Sequence, residues 1–125
     1  MLFRSKAARN APVPTKVIGF TTQMPDWMAA ADLAVTKPGG LTTSEALATG
    51  LPLIVLNPIP GQEVKNANFL ARANVARQTD SPQALPRILE YLLEHPQELL
   101  QMSANSRRLG KPDSAVEAAR IVLGA

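Results

Sequence analysis

The stretch TKPGGLTTSEALATGLPLIV, Thr36 to Val55, joins three different local signals. It opens on the end of an apolar segment, LAVTK (33–37), that reads as a buried strand. Two glycines follow a proline, and the polar-apolar run LTTSEALATG (41–50) then reads as a helix closed by Gly50, where glycine takes the left-handed closing conformation. The run PLIVL (52–56) is apolar on both faces, as a strand of a parallel sheet covered on both sides must be. Strand, turn, helix and strand in this order define a right-handed βαβ unit.

The same alternation extends outward. KVIGF (16–20) is expected as a short strand and PDWMAAADL (25–33) as a helix with Pro25 in its first turn. VKNANFLARAN (64–74) is expected as a helix and VARQT (75–79) as a last strand. Residues 81–95, 96–110 and 113–125 are helical in period. Residues 1–15, with prolines and no period, read as an irregular lead-in, leaving 16–125 as one domain. The predicted fold is α/β: a Rossmann-like parallel sheet with helices on both faces, ending in helices. Four short strands are few for an independent sheet of this kind, so the chain is expected to be part of a larger domain that begins before Met1.

Composition narrows the class. The chain has 125 residues, 46% of them apolar and 18% charged, which is globular and not disordered. It has no cysteine, which removes disulfides and cysteine-based zinc sites. No apolar run approaches the length of a membrane span. The net charge is +3 and aromatics are 4%, too few for base stacking, so no nucleic acid partner is expected. Arg4, Lys6, Arg9 and Lys16 at one end, and Arg107, Arg108 and Lys111 at the other, would meet either solvent or an anionic lipid surface. Solvated faces are the preferred reading, with peripheral membrane contact of a cytoplasmic protein as the other.

Two polar turns carry the candidate chemistry. In open α/β sheets ligands bind at the carboxyl ends of the strands, and the turn after Lys37 is such an end. Gly39 and Gly40 let an anion approach the backbone. The helix behind them offers free N–H groups and the positive end of its dipole, with the hydroxyls of Thr42 and Thr43 as further donors. The alternative is a strand–turn–helix corner that needs glycine only for its backbone angles. Lys37 precedes the glycines, so this is not the nucleoside triphosphate loop, and the three-glycine dinucleotide fingerprint is absent. Glu45 has two readings as well. It closes a Thr42-x-x-Glu45 capping box, or it accepts hydrogen bonds from the two hydroxyls of a ribose. The second turn, PIPGQEVKNANF (58–69), places Gln62 and Glu63 at a helix start and Asn66 one turn on. That mixture of donors and acceptors suits sugar hydroxyls, and the alternative is helix capping.

These residues carry a specific resemblance. Residues 17–124 resemble the C-terminal domain of two-domain, GT-B-type, family 28-like glycosyltransferases. Lys37-Pro38-Gly39-Gly40 … Glu45 together with Pro60-Gly61-Gln62-Glu63 … Asn66 is most similar to the branch that makes monogalactosyl- and glucosyl-diacylglycerol. It is more distantly similar to the N-acetylglucosaminyltransferase of peptidoglycan lipid synthesis. The resemblance implies transfer of a hexose from a UDP-sugar to a lipid hydroxyl with inversion. By that resemblance Gly39, Gly40, Leu41 and Thr42 hold the diphosphate, Glu45 the ribose, and Gln62, Glu63 and Asn66 the sugar. Gly19 and Phe20 lie beside the uracil. It implies no cofactor, since the UDP-sugar is a substrate, and no metal.

The family's acceptor-binding domain and general base have no counterpart here. The chain is therefore expected to be a partial reading frame, an incomplete C-terminal half that binds donor without catalysing alone. Rival readings are the donor domain of a nucleotide-sugar epimerase and a non-catalytic nucleotide- or partner-binding module. His95, the single histidine, is expected as a solvated helix-end residue. Met24, Trp27 and Met28 are expected in the core or a domain contact, and Tyr91, Leu92 and Leu93 on a buried face.

Overall fold

A computed structural model describes residues 12–56, 60–111 and 113–124. Most of the lead-in, Pro58 and the last residue of the final predicted helix lie outside them. The elements run α1 (Met24–Ala30), β1 (Ala34–Thr36), α2 (Gly40–Thr49), β2 (Leu53–Leu56), α3 (Gln62–Arg72), β3 (Ala76–Thr79), a 3-10 turn (Pro82–Ala84), α4 (Leu85–Glu94), α5 (Pro96–Leu109) and α6 (Ser114–Leu123). Among the described residues the sheet has three parallel strands in the order β1-β2-β3. Val35 lies opposite Ile54, which lies opposite Arg77.

The period of a strand sends successive side chains to opposite faces, and β2 uses both. Leu53 and Val55 enter one core with Ala46, Ala67, Leu70, Val75 and Met28, beneath α2 and α3. Ile54 enters a second core with Leu92 and Met102 of α4 and α5. Helices therefore cover both faces, and all three of these β2 side chains are buried. Helix α5 links the two layers. Its Met102 belongs to the second core, its Leu109 packs on the first, and its Ser106 Oγ donates to the Ala46 carbonyl of α2. Gly50 has φ +69, the left-handed closure expected of it.

Several expectations are corrected. Residues 16–20 form no strand: no ladder partner lies alongside them among the described residues, and Val17 and Ile18 stand exposed. Apolar β-formers supply the propensity for a strand, but only a neighbour's N–H and C=O groups make one. Strand β1 is not buried throughout. Among the described residues it is one edge of the sheet, and Val35 is 40% exposed although its register partner Ile54 is sealed. Of Met24, Trp27 and Met28, expected in the core or a domain contact, Met28 joins the core, while Met24 and Trp27 are exposed, which leaves them the domain-contact alternative; Trp27 lies under the Lys16 ammonium, 5.4 Å from the ring centroid. Of Tyr91, Leu92 and Leu93 only Leu92 is buried. Three consecutive helical residues spread over more than half the helix circumference and do not share one face.

The exposed Tyr91 has another use. Its hydroxyl donates to Glu98 Oε1, Arg77 Nη2 donates to Glu98 Oε2 at 2.9 Å, and Arg77 Nη1 donates to Asn74 Oδ1 at 2.7 Å. His95, at the α4–α5 junction, stacks on Tyr91 with ring centroids 4.1 Å apart. The Tyr91 hydrogen bond, ahead of Arg77, holds the Glu98 carboxyl below its usual range, and the same bond raises the Tyr91 hydroxyl. The signs follow from linkage. The Glu98 contribution is present above the ordinary carboxylate range and fades as pH falls through its lowered folded-state value. The Tyr91 contribution is present below the ordinary phenol range and is lost as pH rises through its raised value. Tyr91→Phe is expected to return the Glu98 titration upward toward an ordinary carboxylate. Carboxyl-carbon NMR titration reads this, and an unmoved midpoint would remove the assigned cause. The effect on stability is small, because the group is solvent-screened.

Candidate functional site

Parallel β1 and β2 are neighbours, so the turns after their carboxyl ends are neighbours too. The first begins at Pro38, which is fully buried. Gly39 follows with φ −65 and ψ 152 and serves as the N-cap of α2. Neither Gly39 nor Gly40 is among the described glycines of positive φ, which are Gly50, Gly61 and Gly124. A Cβ added to Gly39 or Gly40 would meet no atom within 4 Å. The corner therefore does not need glycine for its backbone angles, nor for packing against the described residues. The two missing side chains leave room there.

The hydrogen bonding of the turn is divided. The Gly39 N–H donates to the Lys37 carbonyl at 3.0 Å, and the Thr43 N–H donates to the Gly39 carbonyl at 2.9 Å. The N–H groups of Gly40, Leu41 and Thr42 fall in the first turn, where helical geometry supplies no carbonyl. Thr43 is 9% exposed and its hydroxyl has no partner among the described residues. A buried unpaired hydroxyl is unfavourable, and Thr43 follows these three amides in the first turn of the helix, at the positive end of its dipole.

Glu45 forms no capping box. Helix α2 starts at Gly40 and not at Thr42, no side chain caps it, and Glu45 is displaced beyond the first turn. The reason is the Gly39 carbonyl, which takes the Thr43 N–H and so begins the helix before the threonines. Glu45 is exposed, on the same short helix as the free amides. Leu41 is 81% exposed at the helix start.

The second turn is entered through Gly61, whose φ of 107 and ψ of −125 admit only glycine readily. Gly61 is the N-cap of α3. Gln62 is therefore the first helical residue and Glu63, half-buried, lies in the first turn. Asn66 is half-buried and reaches the first turn: its Nδ2 donates to the Pro38 carbonyl at 2.9 Å, and its Oδ1 accepts from Gln62 Nε2 at 3.0 Å. The structure thus brings Gly39, Gly40, Leu41 and Thr42 together with Gln62 and Asn66. Gly19 and Phe20 precede α1, with Phe20 97% exposed, and among the described residues no hydrogen bond ties them to either turn.

A concavity of about 560 Å³ lies elsewhere, lined by Asp32, Gly50, Pro52, Leu99, Ser103 and Arg107 among others. Asp32 and Pro52 precede β1 and β2, so this hollow is at the amino ends of the strands and shares no residue with either turn. Its size does not outweigh its position at the end of a parallel sheet that ligands do not use.

The Asn66 clamp and the orphaned Thr43 hydroxyl were hidden from sequence reasoning in different degrees. Thr43 was legible as a polar residue in a helix's first turn. The bond from Asn66 to Pro38 spans 28 residues, and no local signal announces it.

Residues 4–118 match the model of the glycosyltransferase family 28 C-terminal domain. A processive diacylglycerol beta-glucosyltransferase of Staphylococcus epidermidis is 38% identical over 104 residues, 82% of this chain and 27% of that protein. One from Staphylococcus saprophyticus is 40% identical over 87 residues, 70% of this chain and 22% of that protein. The chloroplastic monogalactosyldiacylglycerol synthase 3 of Arabidopsis thaliana is 36% identical over 118 residues, 94% of this chain and 25% of that protein. The chain spans about a quarter of the length of the curated relatives it matches. With a parallel α/β sheet and two turns joined at its carboxyl end, this chain belongs to the glycosyltransferase family 28 C-terminal domain family.

Proposed function

We propose that this chain is the donor-binding part of a lipid glycosyltransferase, which holds a UDP-hexose for transfer to a diacylglycerol-type hydroxyl with inversion. The carrying observation is the pair Gly39 and Gly40: ordinary backbone angles, no contact that a Cβ would disturb, and unpaired amides just behind. A diphosphate fills that room. The N–H groups of Gly40, Leu41 and Thr42 donate to its oxygens, while Gly39 contributes space, its own N–H being bonded to Lys37. The Thr43 hydroxyl, buried and without a partner among the described residues, lies one residue behind them in the helix. Glu45 accepts from the ribose hydroxyls, Gln62 and Glu63 face the hexose, and Gly19 and Phe20 flank the uracil.

In this reading the acceptor hydroxyl oxygen attacks the anomeric carbon from the face opposite the diphosphate, and the sugar–phosphate bond breaks with its electrons leaving on UDP. Amides aimed at that oxygen anion, and the α2 dipole behind them, stabilise the charge as it develops. The group that takes the acceptor's proton is assigned outside this chain, as is the lipid-binding surface; the relatives named as diacylglycerol and monogalactosyldiacylglycerol enzymes support that acceptor class. Peripheral contact with a membrane follows from a lipid acceptor, and among the described residues no helix is long and apolar enough to cross one.

Calorimetric titration of the chain with UDP tests the reading. Saturable binding is expected, and Glu45→Ala is expected to weaken it about tenfold without changing the melting temperature, since the carboxylate caps nothing. A soluble, cooperatively folded chain that takes no UDP would overturn the proposal.

A further inference from the structure

The Pro38 carbonyl belongs to the same rigid peptide plane as the Gly39 nitrogen. Whatever holds that oxygen sets the plane from which the diphosphate turn leaves the sheet. Gly39 and Gly40 give the turn no side-chain anchor, and glycine is the least restrained residue in the chain. On one side the turn is tied locally, by Gly39 to Lys37 and Thr43 to Gly39. The tie from outside is Asn66, whose Nδ2 donates to Pro38 O at 2.9 Å. The orientation of this amide is dictated by its partners: a carbonyl only accepts, so the nitrogen must face Pro38 and the oxygen is left for the Gln62 donor at 3.0 Å.

We propose that Asn66 is a positioning residue for the diphosphate turn. Its side chain fixes the Pro38–Gly39 peptide and, through Gln62, couples the sugar-facing turn to it, so that the two turns present their groups to a nucleotide-sugar as one body. This rests on the donor-site reading above and revises the expectation that Asn66 is a ligand of the hexose. The two roles differ in what they do to UDP, which carries no hexose. A hexose ligand is irrelevant to UDP; a strap under the diphosphate turn is not.

The test uses the 125-residue chain and two readouts: calorimetric titration with UDP and, in parallel, with UDP-glucose as the UDP-hexose, and ligand-free amide resonances of Gly39 and Gly40. Asn66→Asp keeps an acceptor for Gln62 and replaces the donor to Pro38 O by a repelling oxygen. Asn68→Asp, on the exposed part of the same helix, adds the same charge without touching the strap. Asn66→Asp is expected to weaken UDP about tenfold and to shift both glycine resonances, with Asn68→Asp doing neither. Asn66→Ala, which removes both bonds and adds no charge, repeats the comparison if the Asp variant does not fold. UDP affinity equal to wild type with only the extra affinity for UDP-hexose lost would make Asn66 a sugar ligand and overturn the strap. Unmoved glycine resonances would overturn it as well. If the unaltered chain takes no UDP, the donor-site reading fails by itself, and the resonances alone decide whether Asn66 holds the turn.

Discussion

Gly40→Ala is expected to make the fold slightly more stable and to weaken UDP binding about 100-fold. The two effects have separate origins. Gly40 is the first residue of α2, outside the positive-φ region, and a Cβ there meets nothing within 4 Å. Alanine at such a position restricts the unfolded chain without straining the folded one, a gain of about 0.5–1 kcal/mol. The empty space that makes the substitution harmless to the fold is the space assigned to the diphosphate. A methyl group there holds the phosphate away from the free N–H groups of Gly40, Leu41 and Thr42, and charge-assisted hydrogen bonds weaken steeply with distance and angle. A 100-fold loss corresponds to about 2.7 kcal/mol, the scale of one or two such bonds. Gly39→Ala, with φ −65 and the same open surroundings, is expected to lose affinity alike but without the gain in stability, since Gly39 is the N-cap and alanine is a poorer N-cap than glycine. Thermal melts and UDP titrations of the same preparations give both numbers. Opposite movements of stability and affinity mark a site in which glycine serves a ligand. Unchanged affinity would mean that nothing enters the turn, and the diphosphate assignment would go with it.

Much of this was legible in the sequence because it depends on local rules. The alternation of β1, α2, β2, α3 and β3 follows from the lengths of apolar runs and from where glycine and proline interrupt them. Gly50 closes α2 with φ +69 as its place after a helical run requires. The adjacency of the two polar turns follows from parallel pairing of consecutive strands, which the right-handed crossover rule anticipates. What failed depends on hydrogen-bond partners that a residue pattern does not specify. KVIGF has strand propensity but no neighbour to pair with among the described residues. The capping box at Thr42–Glu45 satisfies the motif, yet the Gly39 carbonyl starts the helix earlier by taking the Thr43 N–H. Tyr91 looks like core beside two leucines, and is instead held at the surface by Glu98, seven residues on. Within the site, the residue type of Asn66 marks it as polar, but its bond to a carbonyl of the other turn, 28 residues away, has no local signal. Residue types marked where chemistry could occur; the three-dimensional partners decided which groups remain available for it.

Gly110→Ala is expected to destabilise the fold by about 2–3 kcal/mol, lowering the melting temperature by roughly 10 °C. Gly110 follows α5 with φ −67 and ψ 148, angles that any residue adopts, so the cost is not backbone strain. It is collision. A Cβ at Gly110 would overlap the Leu47 carbonyl oxygen and lie 2.6 Å from its carbonyl carbon and 3.0 Å from Ala48 Cα. All three are backbone atoms of α2, so no rotamer change relieves the overlap and trimming Leu47 to alanine does not rescue it. The helices must separate, and the contacts at stake are the ones that join the two layers: Ser103 Oγ to the Gly50 carbonyl at 2.7 Å and Ser106 Oγ to the Ala46 carbonyl at 3.3 Å. Ser106 is fully buried, and its hydroxyl would lose its acceptor, while the Ala46 carbonyl keeps the Leu51 N–H at 2.9 Å. The far end of α2 carries the free amides of the diphosphate turn, and a helix of ten residues moves as a rigid rod about 15 Å long. Gly110→Ala is therefore expected to weaken UDP binding even in the fraction that remains folded, whereas Gly124→Ala, strained at φ +69 but with nothing within 4 Å, leaves α2 in place. Melting temperature and UDP affinity that both match the unaltered chain would mean that α5 does not approach α2 this closely, and the seat of the site would have to be sought in α3 and the Asn66 strap alone.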